Sequence, residues 1–283
     1  MGKKELLKSP CTYQGGKQKI ARDIINVILN NEQIDEDTVF YDICCGSGAI
    51  TIELLNRGVA ASQIVMCDIS SWGKFWQEIG QGTFDLNKFN NYINSIPTDK
   101  NLIQNFMLQL SKMDADIDEE YKYILLQAAA FGGKQIYKTK GEWQNCSFRS
   151  YWQPTETSNR RSPVNPMQPM PESIKERVEL LVKCCQGLTC YNTDAFNIKD
   201  KVQKTNSILY IDPPYNNTTS YGFKFDYEAF IAYMKANTQA SIYVSEKEKL
   251  NNATKAIQLA KPSKKGGIIG YSKVTKEEWL NKM

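Results

Sequence analysis

Asp212-Pro213-Pro214-Tyr215 combines, in four residues, an acid, two prolines and an aromatic. It follows Ile208-Leu209-Tyr210-Ile211, an apolar run that reads as a buried strand. Prolines fix φ and carry no N–H, so such a corner is rigid and rich in acceptors. The tyrosine adds a flat face with a polar tip. An exocyclic amine on a planar base suits this set: acceptors for its hydrogens, a ring for its plane. A strand-ending turn would use the same residue types, so the rest of the chain has to decide between the two.

A second constellation is Asp42-Ile43-Cys44-Cys45-Gly46-Ser47-Gly48, where a short strand over 38–43 meets a helix over 49–57. Glycines at such a junction let a ligand approach the backbone, and a helix N-terminus favours a negative group such as a carboxylate. Asp68 ends the next strand, where an acid can bind both hydroxyls of a ribose. A dinucleotide fingerprint would ask for a third glycine where Thr51 stands. A nucleoside bearing an amino acid rather than a pyrophosphate fits better, and S-adenosylmethionine is such a molecule.

Composition removes several alternatives. The chain has no histidine, which excludes a Ser-His-Asp triad, a histidine-bound zinc and any histidine base. The eight cysteines form no Cys-x-x-Cys pair, so reduced thiols and no metal are expected. No apolar run approaches the roughly 18 residues of a membrane span. The start, Met1-Gly2-Lys3-Lys4-Glu5-Leu6, lacks the apolar stretch of a secretory signal. The expected setting is therefore the cytoplasm of a bacterial or phage-infected cell, with no membrane contact. The net charge of +4 equals the excess carried between Lys134 and Arg161 alone, where Tyr137, Trp143, Phe148, Tyr151 and Trp152 interleave with the bases. A basic segment of that kind points to a polyanion.

The elements that must position these residues follow from periodicity. Residues 17–32 read as a helix, with Ile20, Ile24, Ile25, Ile28 and Leu29 on one face. Strand, glycine turn, helix and the strand over 63–67 make one βαβ unit of an open parallel sheet. Strands resume at 188–191, 207–211 and 240–244, and 266–271 reads as a late hairpin. Between them residues 72–131 look mostly helical, and Pro154, Pro163, Pro166, Pro169 and Pro171 mark an extended stretch before a helix over 172–185. The expected organisation is a catalytic, cofactor-binding part from 1–74 and 171–283. It is interrupted by an insert over 75–170, longer than any single crossover needs and expected to form a separate lobe.

Four stretches follow one another over about residues 10–245: Tyr13-Gln14-Gly15-Gly16-Lys17, Asp42–Gly48, Lys140-Gly141-Glu142-Trp143 and Asp212–Tyr215. In this order and spacing the chain resembles the Dam-type DNA adenine-N6 methyltransferases. The resemblance implies an α/β, Rossmann-like S-adenosylmethionine-dependent methyltransferase sheet with an inserted, mostly helical target-recognition lobe, acting on double-stranded DNA. It implies that Tyr13 and Lys17 hold the cofactor's methionine end, that Asp42, Gly46 and Gly48 form its groove, and that Asp68 takes the ribose. Asp194, with Ala195 and Phe196, would meet the cofactor's adenine. Asp212 would serve both the methionine ammonium and the target base, with Pro213, Pro214 and Tyr215 completing the catalytic corner. Lys134, Lys138, Lys140, Trp143, Arg149, Arg160 and Arg161 become the candidate DNA contacts. The chain departs from the family pattern at Cys44, where phenylalanine is usual, and at Ile136, where arginine is usual, so the family's GATC target is not carried over. Two other readings stand beside this one: a non-catalytic DNA-binding protein on a methyltransferase fold, and an RNA adenine or cytosine-N4 methylase.

Overall fold

The structure, a computed structural model, describes residues 5–13, 15–159, 165–214, 223, 225–260, 264–266, 272–274 and 277–283. The helix expected over 17–32 is α1, Ala21–Asn31; the turn before it leaves Lys17 free of helical geometry. The βαβ unit follows as β1 (Val39–Ile43), α2 (Ala49–Asn56) and β2 (Ile64–Cys67). Next come α3 (Ser71–Gln81), α4 (Leu86–Asn94), α5 (Lys100–Leu110) and α6 (Glu119–Ala129). A small hairpin of β3 (Tyr137–Thr139) and β4 (Glu142–Gln144) precedes α7 (Pro171–Cys184). Pro171 opens α7, where its missing N–H is no loss. The chain closes with β5 (Thr189–Tyr191), β6 (Ser207–Ile211), α8 (Tyr227–Asn237), β7 (Ser241–Glu246), β8 (Lys255–Ala260), β9 (Lys264–Gly266), β10 (Ser272–Val274) and β11 (Glu278–Lys282).

Seven of these strands form one sheet in the order β5-β2-β1-β6-β7-β11-β8. β5, β2, β1, β6 and β7 pair in parallel. The last strand, β11, slots antiparallel between β7 and β8. The parallel strands read as continuous apolar runs because both faces are covered. Along β6, Ile208 and Tyr210 face one buried cluster, and Leu209 and Ile211 face the other. Phe40 and Tyr41 of β1, and Tyr243 and Val244 of β7, divide between the faces in the same way. The larger cluster lies under α1 to α7; the smaller lies under α8 and a 3-10 turn at Ala195–Lys201.

The insert over 75–170 does not build its own core among the described residues. Trp76, Phe89, Met107 and Tyr123 belong to the same buried cluster as Ile24, Phe40 and Ile208. Edge-to-face aromatic packing of Trp72 on Tyr123 (5.2 Å between centroids) joins α3 to α6. The late hairpin expected at 266–271 is represented by β9 and β10, which pair antiparallel; residues 267–271 lie outside the described residues.

Candidate active site

β1 has β2 on one side and β6 on the other, so the chain's connections diverge there, and open α/β sheets bind ligands beyond their strand ends at such a point. The cleft is found at that place. It is open to solvent, and its empty space, solvent at the mouth included, is about 860 Å³. Its walls are the residues just past the ends of four parallel strands: Cys44 to Ser47 after β1, Asp68 after β2, Thr193 to Ala195 after β5, and Asp212 to Pro214 after β6. Tyr13 and Lys17 close it from the N-terminal segment, and Phe223 and Phe225 from the other side.

The loop after β1 is held by its neighbours. Trp76 donates its indole N–H to the Gly46 carbonyl at 3.0 Å, and the Asp68 carboxylate accepts the Gly46 N–H at 2.8 Å. Gly48 sits at φ 71°, and a Cβ there would lie 2.3 Å from the Trp76 ring. Gly48 does not line the cleft; it is glycine because α3 presses on it. Gly46 does line it, and a Cβ there would meet the Tyr13 ring at 3.0 Å. Asp42 acts as a cap supplied from a strand: its carboxylate accepts the Thr51 N–H at 3.2 Å and the Thr51 hydroxyl at 2.8 Å. This satisfies a first-turn donor of α2, which has no side-chain cap of its own. Burial pushes the Asp42 carboxyl up to about 7 against those hydrogen bonds.

Lys17 and Asp212 meet across the cleft. The Lys17 ammonium donates to Asp212 Oδ1 at 2.6 Å and to the Gly15 carbonyl at 3.1 Å, and lies 3.5 Å from Glu278 Oε1. Burial works to lower the Lys17 pKa, but Asp212 and Glu278 outweigh it and leave the pKa raised. Burial raises the Asp212 carboxyl to about 6; Lys17 opposes that rise, and Glu278 and Glu246 add to it. Asp212 Oδ2 accepts no hydrogen bond from any described residue, while the side chain lines the cleft. Asp68 has its carboxyl raised by burial, and Ser70 and Gly46 hold it from behind. Asp194 accepts the Phe196 N–H at 2.8 Å.

The cleft therefore brings together Tyr13, Lys17, Asp42, Gly46, Asp68, Asp194, Ala195, Asp212, Pro213 and Pro214 from the sequence-derived set. Gly48 supports the loop from outside. Phe196 packs against Phe225 and Phe230, at 6.1 and 5.7 Å between centroids, and is not in the wall. Tyr215 lies outside the described residues. Trp76, Gln135 and Glu278 belong to the site's construction, yet no motif announced them.

The candidate DNA contacts divide. Lys134 and Lys140 are exposed. Lys140 and Gly141 form the two-residue turn of the β3–β4 hairpin, both at positive φ (50° and 74°), as a primed turn requires. Lys138 is committed within the protein, to Asp116 at 2.8 Å and to Glu119. Trp143 is a correction: it is 6% exposed and stacks on Tyr123 with centroids 5.9 Å apart, so its ring fills the core under the hairpin rather than facing a partner. Arg149 is half-buried, and burial lowers its pKa. Arg160 and Arg161 lie outside the described residues. Ile136, where the family pattern has arginine, is fully buried.

A parallel sheet with one reversed strand beside its far edge, and a carboxylate-lined cleft at the switch point, define a Rossmann-like α/β fold with a ligand site at its strand ends. Residues 13–259 match the family model of the D12 class N6 adenine-specific DNA methyltransferases, and the chain belongs to that family. No curated protein matches the chain. Among solved structures it is similar to the rRNA methyltransferase aviRa from Streptomyces viridochromogenes, at 12% identity. That match covers 94% of this chain and 84% of that one, with a TM-score of 0.39. Among the described residues no helix is long and apolar enough to cross a membrane, and no cluster of three or more His, Cys, Asp or Glu residues is arranged to hold a metal.

Proposed function

We propose that this methyltransferase modifies the N6 amine of an adenine flipped out of double-stranded DNA, in the cytoplasm of a bacterial or phage-infected cell. The observation that carries the reading is the Lys17–Asp212 pair in the wall of a cleft that Asp42, Asp68 and Asp194 also line. Among the described lining residues Lys17 is the only cation, and a wall with that excess of carboxylates suits a positively charged ligand. Gly46 lines the cleft with the Tyr13 ring packed so close against it that a Cβ at 46 would lie 3.0 Å from the ring. The residues present therefore fit S-adenosylmethionine, which supplies, when bound, an electrophilic methyl group on a sulfonium.

The protein's part is positioning and electrostatics. Tyr13 and Lys17 would hold the methionine end, Asp68 the ribose and Asp194 the adenine amine of the cofactor. Asp212 Oδ2 and the Pro213 carbonyl accept the two hydrogens of the target amine, which favours the pyramidal nitrogen that attack requires. Tyr215 stacks on the base. The proton that the amine sheds after transfer passes to Asp212 Oδ2, so no histidine is needed. A base within a duplex cannot reach this corner and has to leave the stack. Residues 75–170 serve target recognition, with Lys134, Lys140, Arg149, Arg160 and Arg161 toward the DNA, while 1–74 and 171–283 bind the cofactor and carry the chemistry.

The test is Asp212→Asn, which keeps the shape and replaces the anion. Methyl transfer to duplex DNA is expected to fall at least about a hundredfold, the scale of one lost electrostatic stabiliser, with the folded state retained by circular dichroism. Near-full activity in Asp212→Asn would remove Asp212 from the reaction.

A further inference from the structure

Among the described residues of the 75–170 segment, Gln135 alone lines the cleft. It is 3% exposed, and its carboxamide oxygen, Oε1, is buried with no hydrogen-bond partner. Of the unpartnered buried side-chain polar atoms among the described residues, it is the only one whose residue lines the cleft. The backbone that carries it is held firmly. Gln127 of α6, wholly buried, donates to the Lys134 carbonyl at 3.0 Å and accepts the Ile136 N–H at 3.0 Å. Asn145 donates to the Gln135 carbonyl at 3.0 Å. The peptides on both sides of Gln135 are thus clamped, while its own carboxamide oxygen is left over. A buried amide oxygen without a partner lowers stability, and buried polar groups in folded proteins are nearly always bonded. In a cleft wall, such an atom points to a ligand.

We propose that the Gln135 carboxamide binds the amino-acid end of S-adenosylmethionine, with Oε1 accepting from the ammonium and Nε2 donating to the carboxylate. This rests on the placing of that end beside Tyr13 and Lys17. The last turn of α6, which grips the backbone around Gln135, also anchors the Tyr13 segment. The Gln168 N–H donates to the Ala128 carbonyl at 2.9 Å, and the Gln168 carbonyl accepts the Thr12 N–H at 3.2 Å. Two cleft-lining residues, Gln135 and Tyr13, are thus tied to one helix end. A primary amide sets an acceptor beside a donor group, and an α-amino acid sets a cation beside an anion, so the two match edge to edge. The last torsion of a glutamine side chain is broad, so the amide can turn to its ligand without moving the clamped backbone. The target base is a poorer match. Asp212 Oδ2 and the Pro213 carbonyl already take the two hydrogens of its amine, and Oε1 would be a third acceptor for them.

The test compares two probes by calorimetry: S-adenosylhomocysteine, which carries the amino-acid end, and methylthioadenosine, a similar nucleoside without it. The unaltered protein is expected to bind the first more tightly. Gln135→Met keeps about the same side-chain length and removes both polar ends. It is expected to weaken S-adenosylhomocysteine about tenfold or more, the scale of hydrogen bonds to charged groups, and to change methylthioadenosine less than about twofold. Without ligand it is expected to melt no lower than the unaltered protein, since the oxygen it loses had no partner. In the unaltered protein the side-chain amide NMR signals of Gln135 are expected to shift further with S-adenosylhomocysteine than with methylthioadenosine. Equal affinity of Gln135→Met and the unaltered protein for S-adenosylhomocysteine would overturn the proposal. If methyl transfer to DNA then fell at that unchanged affinity, the amide would belong to the target base instead. A variant that melts much lower, or does not fold, would make Gln135 a structural residue and overturn the proposal as well. An unaltered protein that takes both probes equally would remove the methionine end from Tyr13 and Lys17, and the proposal with it. That result is distinct from a failure of Gln135 alone, in which the unaltered protein and the variant both prefer S-adenosylhomocysteine to the same degree.

Discussion

Replacing Lys17 by methionine removes the only lysine that contacts Asp212 in the described structure while keeping much of the buried volume. Asp212 stands at about 6 with the ammonium 2.6 Å away, although burial, Glu278 and Glu246 all push it up. An opposite charge at that distance lowers a carboxyl by roughly one to three pH units. Without it, the Asp212 midpoint is expected between about 7 and 9. The acceptor form at pH 7 then falls from about nine-tenths of the protein to between about half and a hundredth, an activity loss of about two- to a hundredfold from protonation alone. The sign is specific: because the ionised acid is the working form, activity in Lys17→Met is expected to climb as pH rises toward 9, where the unaltered protein has already levelled off. The assay is methyl transfer to duplex DNA at saturating cofactor from pH 5 to 10. An acid limb that stays near 6 in Lys17→Met would refute the role given to the pair.

Other perturbations separate structural from chemical roles. Asp42 is held near 7 against an ordinary value of 3.8, so its ionisation opposes folding by on the order of 4 kcal/mol at pH 8. Because the folded-state value is the raised one, that penalty grows as pH rises from about 4 to about 7. Asp42→Asn, which can still accept from Thr51, is therefore expected to melt above the unaltered protein at pH 8, with the gap closing toward pH 4; a constant gap would contradict the burial argument. Gly48→Ala, at φ 71° and 2.3 Å from the Trp76 ring, is expected to lower stability by about 2 kcal/mol or more in urea titration, and an unchanged midpoint would show that α3 yields easily. Trp143→Ala is expected to cost about 3–5 kcal/mol of stability, whereas Lys134→Ala is expected to leave stability alone and reduce the salt dependence of DNA binding by about one phosphate contact. A stable Trp143→Ala that binds DNA weakly would restore the ring to the interface.

The parallel half of the sheet was legible because its strands are buried on both faces and leave continuous apolar runs such as Ile208–Ile211. The corner after them was legible because Asp212-Pro213-Pro214 is chemically unusual. What was not legible depended on contacts distant in sequence. β11 reads Glu-Trp-Leu-Asn-Lys, too polar to stand out, and only its place between β7 and β8 makes it a strand. Glu278 joins Lys17 across most of the chain's length, so no local spacing announces it. The basic segment showed the right composition, but composition does not say which way a side chain points. Trp143 turned inward onto Tyr123, and Lys138 turned to Asp116 and Glu119. Gly48 was read as room for a ligand, and the room is filled by Trp76, a residue on a different element.

The central claim is that the free oxygen of Asp212 and its neighbours act on the N6 amine of adenine in DNA. The most direct measurement is nucleoside mass spectrometry of duplex DNA after incubation with the protein and S-adenosylmethionine, alongside the same reaction with Asp212→Asn. The account predicts N6-methyladenine from the unaltered protein and at least about a hundredfold less from the variant. N4-methylcytosine as the product, or equal N6-methyladenine from both proteins, would contradict it.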